Sequence, residues 1–359
     1  MSGLRLYPLP AALTVLLAAH GVRKGSLSTS GALAALVAGY GTLANPLPTF
    51  GVMLLVFYLT GSRATKVKAG IKATLERELV DSPKKSAAQS DAANHKAHAG
   101  GQRDAMQVLC NSLTAFISAV LFRILYGNEG LATSLTAQLG IPPNALEEWK
   151  NGAGFCAISP RATDGWSRTL LLLALGHFAC CMGDTLASEL GILARSKPVL
   201  VLNPFRQVPP GTNGGISPLG TLMSLLGGLL IGITAALTTY LSNSACSTHQ
   251  DAASWLRTKV TDDHYSWLAI VALGGLGGLL GSMIDSVMGA TLQRTYYSKE
   301  TKQVLLGRLP PQERAKPGAK QSEWVVITGN DVLTNNQVNL LSSILTAAIV
   351  AYVGNTVLV

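Results

Sequence analysis

Five stretches of this 359-residue chain, 105–126, 169–191, 218–241, 266–290 and 336–359, are almost free of charge. Each comes close to the ~20 apolar residues that a helix needs to cross a bilayer. Such runs leave few folds open, because a backbone in lipid must satisfy all its polar groups internally. Three shorter apolar runs precede them, at 9–20, 32–44 and 50–60. The composition agrees, with 48% hydrophobic and only 13% charged residues and a mean hydropathy of +0.32, where a soluble domain carries about 25% charged residues. A soluble two-domain enzyme and a disordered chain are both excluded. The reading is an all-α, polytopic membrane bundle of eight spans, with a range of seven to nine, in which residues 1–359 form one membrane domain.

Basic residues set the orientation. The segment 61–104 holds Arg63, Lys66, Lys68, Lys72, Arg77, Lys84, Lys85, Lys96 and Arg103, and 189–217 adds Arg195, Lys197 and Arg206. The segment 291–335 adds Arg294, Lys299, Lys302, Arg308, Arg314, Lys316 and Lys320. These are alternate loops, so an eight-span chain puts them all on the inside together with Arg23 and Lys24. The outside loops, 127–167 and 242–265, hold only Lys150, Arg161, Arg257 and Lys259. Both termini are then lumenal, and the net charge of +9 is an orientation signal, not a nucleic-acid footprint. No Ser- and Arg-rich leader precedes the first apolar run, which reads as a retained helix. The endoplasmic reticulum is the expected membrane. Residues 82–101 read as a flexible cytoplasmic segment and 295–334 as a cytoplasmic loop. Cys156 and Cys246 fall in the two outside loops, where they are either a disulfide or two free thiols.

Polar residues within spans point to function because they are costly in lipid. They recur here at helical spacing: His177, Cys181, Asp184, Ser188 and Gly191; Gly274, Gly278, Ser282, Asp285, Gly289 and Gln293; Gln107, Asn111, Thr114 and Ser118; Ser217, Thr221, Ser224 and Gly228; Asn335, Asn339 and Ser342. Ser, Asn and Gly also serve plain helix packing, whereas Asp184 and Asp285 each require a partner. Most of these positions lie toward the basic end, so the helices form one cytoplasmic-facing polar pocket. Three loops that suit phosphate lead into it. Gly100-Gly101-Gln102-Arg103-Asp104 opens one helix, where free N–H groups and the helix dipole converge. Pro209-Pro210-Gly211-Thr212-Asn213-Gly214-Gly215-Ile216-Ser217 opens another. Arg63 and Lys66 follow the third apolar run. Two carboxylates and several such loops describe a Mg²⁺ and polyphosphate site, with Asp184, Glu189 and Asp285 as metal ligands. Arg63, Lys66 and Arg103 are the clamps, with Lys66 and Arg103 counted among the catalytic residues. Gln107, Asn111, Ser188, Ser282, Gln293, Asn335 and Asn339 line the substrate pocket. No soluble nucleotide-binding or kinase signature is present.

The blocks Gly61-Ser62-Arg63-Ala64-Thr65-Lys66, Gly100 to Asn111, Gly183-Asp184-Thr185 with Ala187-Ser188-Glu189, Pro210 to Ser217, and Gly281-Ser282 with Asp285-Ser286 and Gly289 resemble the transmembrane protein 19 family. That family includes the plant and cyanobacterial phytyl-phosphate kinases. The resemblance implies a membrane kinase that phosphorylates an isoprenoid monophosphate to the diphosphate, with CTP or another nucleoside triphosphate as donor. A lipid-phosphate cytidylyltransferase and a transporter of phosphorylated lipids or small anions stand beside it as alternatives.

Overall fold

In the computed structural model the described residues are 6–78, 102–126, 156–159, 165–242, 246, 267–306 and 324–358. Segment 82–101, with Gly100 and Gly101, lies outside them, as does most of 127–167 and 242–265.

The protein is mostly helical. The three short apolar runs form α1 (Pro8–Arg23), α2 (Thr29–Leu43) and α3 (Thr49–Ala64), followed by the short α4 (Ala69–Leu75). Pro8 sits in the first turn of α1, where its missing N–H costs nothing. Ser28 caps α2 by accepting from the Gly31 N–H at 3.0 Å. Four later helices are long and apolar enough to cross a membrane: α7 (Trp166–Gly191), α8 (Pro218–Ser242), α9 (Trp267–Leu292) and α10 (Asn335–Val357). Thr334 and Gln337 close a capping box at the start of α10.

One expected span is interrupted. The run 105–126 forms α5 (Ala105–Cys110) and α6 (Leu113–Tyr126). The Ser112 hydroxyl bonds back to the Val108 carbonyl at 2.8 Å and its N–H to the Leu109 carbonyl at 3.0 Å, which tightens the turn at Asn111. Hydropathy does not register such a break, since both pieces remain apolar.

Helix α7 is the hub, in contact with α3, α6, α8, α9 and α10. Its most apolar stretch is 78% buried, against 39% in α10. Helices α7, α8 and α9 meet at Gly278. A Cβ there would lie 2.7 Å from Gly228 Cα, and one on Gly183 would lie 2.7 Å from Gly278 Cα. Lipid gives helices no hydrophobic reason to associate, so this backbone contact supplies the van der Waals packing.

The all-α expectation needs correction at the basic end. There β2 (Val199–Leu200) pairs antiparallel with β3 (Asn203–Gln207) and β4 (Gly215–Ile216). A second sheet has the order β1-β6-β5-β7, from β1 (Glu76–Glu78), β5 (Thr295–Ser298), β6 (Val304–Leu306) and β7 (Trp324–Thr328). Tyr296, Leu305 and Trp324 form its small core. Arg206 ties the two sheets by donating to the Ile327 carbonyl at 2.8 Å. Part of 295–334 is therefore a sheet and not a plain loop; its β-branched and aromatic segments are short, and their pairing is non-local.

At the other end, Cys156 and Cys246 form a disulfide with Cα atoms 4.8 Å apart. It links the segment before α7 to the segment after α8. Arg168, near the start of α7, donates to Asn355 Oδ1 at 2.9 Å, near the end of α10.

Candidate functional site

The basic end opens into a cavity of about 2020 Å³. Its walls are the last turns of α7 and α9, the first turns of α8 and α10, the loop 210–217, and the N-terminal elements α1 to α5. The polar stripes read from the sequence converge on it. Asp184, Ser188, Ser282, Asp285, Gln293, Asn335, Asn339, Gln107 and Asn111 all line the cavity. Thr114 and Ser118 do not; the Ser118 hydroxyl bonds the Thr114 carbonyl inside α6.

Asp184 on α7 and Asp285 on α9 both line the cavity. Helix α10 supports Asp285 twice. The Ser342 hydroxyl donates to its Oδ2 at 3.1 Å, and the Asn339 amide, oriented with nitrogen toward the carboxylate, donates to the same oxygen at 3.1 Å. Both carboxylates thus sit on long helices with packed backbones.

The loop after β3 is shaped by hydrogen bonds of its own. The Thr212 hydroxyl donates to the Pro209 carbonyl at 2.7 Å, and the Gly215 N–H to the Thr212 carbonyl at 2.8 Å. Gly214 has φ +76°, and a Cβ there would sit 2.7 Å from the Ser286 carbonyl oxygen, so the loop lies directly on α9. Ser217 caps α8 through the Gly220 N–H at 3.1 Å. Close by, Gln293 Nε2 and Arg294 Nε are buried with no hydrogen-bond partner among the described residues. Both residues line the cavity. Buried donors are nearly always satisfied, so these two are candidates for the acceptor oxygens of a ligand.

The cationic wall differs from the expectation. Arg103 lines the cavity and reaches Ser62 Oγ at 3.3 Å. Its backbone is held in place by the Ser26 carbonyl and the Ser28 N–H, at 3.1 and 3.0 Å. Burial lowers its pKa from the ordinary value, with the charge of Glu189 pulling the other way; a guanidinium keeps its charge through such a shift. Arg63 and Lys66 are exposed and do not line the cavity. Near the end of α3 it is Thr65 that lines the cavity, while Arg63 turns out over its own Leu59 carbonyl at 3.4 Å. Lys72 takes the place assigned to Lys66. It lines the cavity, donates to the Ala64 and Thr65 carbonyls at 3.1 and 3.0 Å, and pairs with Glu189. Glu189 is therefore committed to a cation. No group of three His, Cys, Asp or Glu residues able to hold a metal occurs among the described residues, so the trio Asp184, Glu189 and Asp285 does not assemble as one ligand set.

The integral membrane protein family DUF92 matches residues 12–347. The chain belongs to that family. It is similar to Protein PGR of Arabidopsis thaliana, 31% identical over 298 residues that cover 83% of this chain and 79% of that one. It is also similar to the uncharacterized membrane protein MJ0933 of Methanocaldococcus jannaschii, 32% identical over 120 residues, 33% of this chain and 39% of the other. No solved structure matches. These findings are consistent with the resemblance to the transmembrane protein 19 type of family.

In this DUF92 protein the matched region holds the whole cavity wall, from Thr14 to Asn339. Among the polar lining residues that sequence reasoning missed are Lys72, Arg294, Ser28 and Ser30. Arg294 follows Gln293 directly, so its position was open to view; it was counted only as an orientation charge. Lys72 carried no comparable signal. It is one of nine basic residues in its segment, and only the turn between α3 and α4 selects it.

Proposed function

We propose that this DUF92 protein is a membrane phosphotransferase that moves a phosphoryl group from a nucleoside triphosphate, CTP by family resemblance, to an isoprenoid monophosphate. The observation that carries the reading is one cavity with carboxylates from two helices on one wall and Arg103, Lys72, Gln293 and Arg294 as donors around it. An oxygen of the acceptor phosphate forms the new bond to the γ-phosphorus as the bond to the nucleoside diphosphate breaks. The acceptor oxygen is already anionic, so no general base is required. The main barrier is the approach of two polyanions, and placed charge lowers it.

Asp184 and Asp285 suit Mg²⁺, which takes one or two carboxylates and fills its remaining positions with phosphate oxygens and water. A bound Mg²⁺ would supply charge neutralisation at the transferred phosphate. Ser342 and Asn339 hold Asp285 in orientation. Arg103 and Lys72 neutralise oxyanions from the N-terminal wall, and the 209–217 loop offers backbone N–H groups with Gln293 behind it. The disulfide at the far end suits an oxidising lumen, which supports the reading of a cavity open to the cytoplasm in the membrane of the endoplasmic reticulum. No nucleic-acid partner is proposed.

The interrupted helix at Asn111 favours the transporter alternative, because broken helices at a polar site are typical of transporters. One assay separates the readings. Purified protein is given farnesyl, geranylgeranyl or phytyl monophosphate with Mg²⁺ and each nucleoside triphosphate in turn. The kinase releases nucleoside diphosphate and forms prenyl diphosphate. Release of pyrophosphate establishes a cytidylyltransferase instead. Absence of either product, with labelled lipid phosphate crossing liposomes, establishes a transporter.

A further inference from the structure

The cavity has an apolar neighbour on the side of α8. An apolar groove of about 540 Å³ lies beside it, lined by Val199, Pro218, Leu222 and Leu225 together with residues that line the cavity as well. Those shared residues are Ile216, Ser217, Thr221 and Leu279. Groove and cavity therefore abut at the end of the 209–217 loop, with these four residues between them. Positions 218, 221, 222 and 225 recur every three or four residues, so the groove follows one face of α8 away from the loop. Helix α8 is long and apolar enough to cross the membrane, and Leu222 on this face is 49% exposed. The direction of the groove is thus from a polar cavity toward the hydrocarbon of the bilayer.

The two hydroxyls at its mouth are already engaged. Ser217 Oγ accepts from the Gly220 N–H at 3.1 Å, and Thr221 Oγ1 donates to the Ser217 carbonyl at 3.1 Å. The rest of the lining is aliphatic. The groove consequently offers contact to hydrocarbon and little to a polar ligand. The adjoining cavity, with unpartnered donors at Gln293 and Arg294, offers the reverse. A molecule that uses both must be amphiphilic, with a compact anionic head and a chain narrow enough for a single groove.

We propose that this groove holds the hydrocarbon chain of a single-chain lipid phosphate, whose head sits beside the 209–217 loop and which enters sideways from the bilayer along α8. The assignment of the head group rests on the phosphotransferase reading, whereas the path of the chain rests on the groove.

The test uses the full-length protein in lipid nanodiscs with farnesyl monophosphate carrying a diazirine at the far end of its chain. After irradiation, peptide mapping is expected to place the label on α8 around Leu222 and Leu225 or on α9 at Leu279. Unlabelled farnesyl monophosphate should remove the label, and inorganic phosphate should not. Label on other helices, label spread without competition, or no label overturns the proposal. As a second measurement, Leu225→Trp narrows the groove. It should lower the ratio of kcat/KM for farnesyl monophosphate to that for the five-carbon dimethylallyl monophosphate by about tenfold; an unchanged ratio overturns the proposal. The two readings fail separately. Competable labelling of α8 without a diphosphate product leaves the groove standing and removes the kinase. Diphosphate product with label elsewhere does the opposite.

Discussion

On one side of the cavity, α7, α8 and α9 touch backbone to backbone at Gly183, Gly228 and Gly278, and Asp184 and Asp285 stand on the last turns of that assembly. On the other side, α3, α4 and α5 are short, and their cations are held by loop carbonyls and by single side chains: Lys72 by Ala64, Thr65 and Glu189, and Arg103 by Ser62. The carboxylates are thus positioned by helix packing, and the cations by turns. The contrast suits the proposed reaction, in which a metal site demands fixed geometry while oxyanions tolerate a range of donor positions.

Disturbing the packed wall should have the largest effect. Gly278→Leu places side-chain atoms where the backbone of Ser224 and Gly228 stands. Overpacking costs about 1–3 kcal/mol in adaptable cores, and the neighbours here are backbone, so loss of the folded protein is expected. Thermal unfolding in detergent and size-exclusion profiles check this; a stable Gly278→Leu protein would mean that the helices are not locked at this point.

Asp184→Asn and Asp285→Asn should each lower turnover by about 10²-fold or more, the scale seen for loss of one electrostatic contact to a transition state, with stability retained. Wild-type rates in either variant would remove that residue from the metal site. Ser342→Ala deletes one of the two donors to Asp285. A hydrogen bond to a charged group contributes about 1.5–3 kcal/mol, so a fall of about tenfold or somewhat more in turnover is expected, along with a raised Mg²⁺ requirement.

The cationic wall should respond more mildly and in a different parameter. Lys72→Met is expected to raise KM for the nucleoside triphosphate severalfold, with kcat less affected, because it removes uniform binding. The smallest effect is expected for Arg63→Gln combined with Lys66→Gln, within about twofold of wild type in steady-state assays, since both side chains face away from the cavity. A large defect there would place the clamp at the end of α3 after all and erase the distinction between the two walls.

Much of this protein was legible in its sequence. The three short apolar runs and the last four long ones correspond to α1–α3 and α7–α10, because hydropathy and length alone decide whether a segment can lie in lipid. The polar stripes were legible for a related reason: helical periodicity puts Asp184 and Ser188 on one face whatever surrounds them. The loop 210–217 was visible as a distinct element through its glycines, and it lines the cavity. The strands were not legible, because β1 pairs with β6 across more than two hundred residues and neither strand carries a period of its own. Nor was the break at Asn111, where one serine hydroxyl competes for a carbonyl.

The basic residues mark where sequence and tertiary structure part. The sequence alone determined that they gather at one end of the bundle, since their sign and alternation between apolar runs suffice for that. Which of them face the cavity was decided only by tertiary structure. A helix turns about 100° per residue, so Ser62 meets Arg103 while Arg63 points out, and the turn after α3 brings Lys72 to Glu189 while Lys66 stays exposed. Charge in a segment is a property of composition, but charge in a site depends on the direction of each side chain, which the packing of neighbouring helices determines.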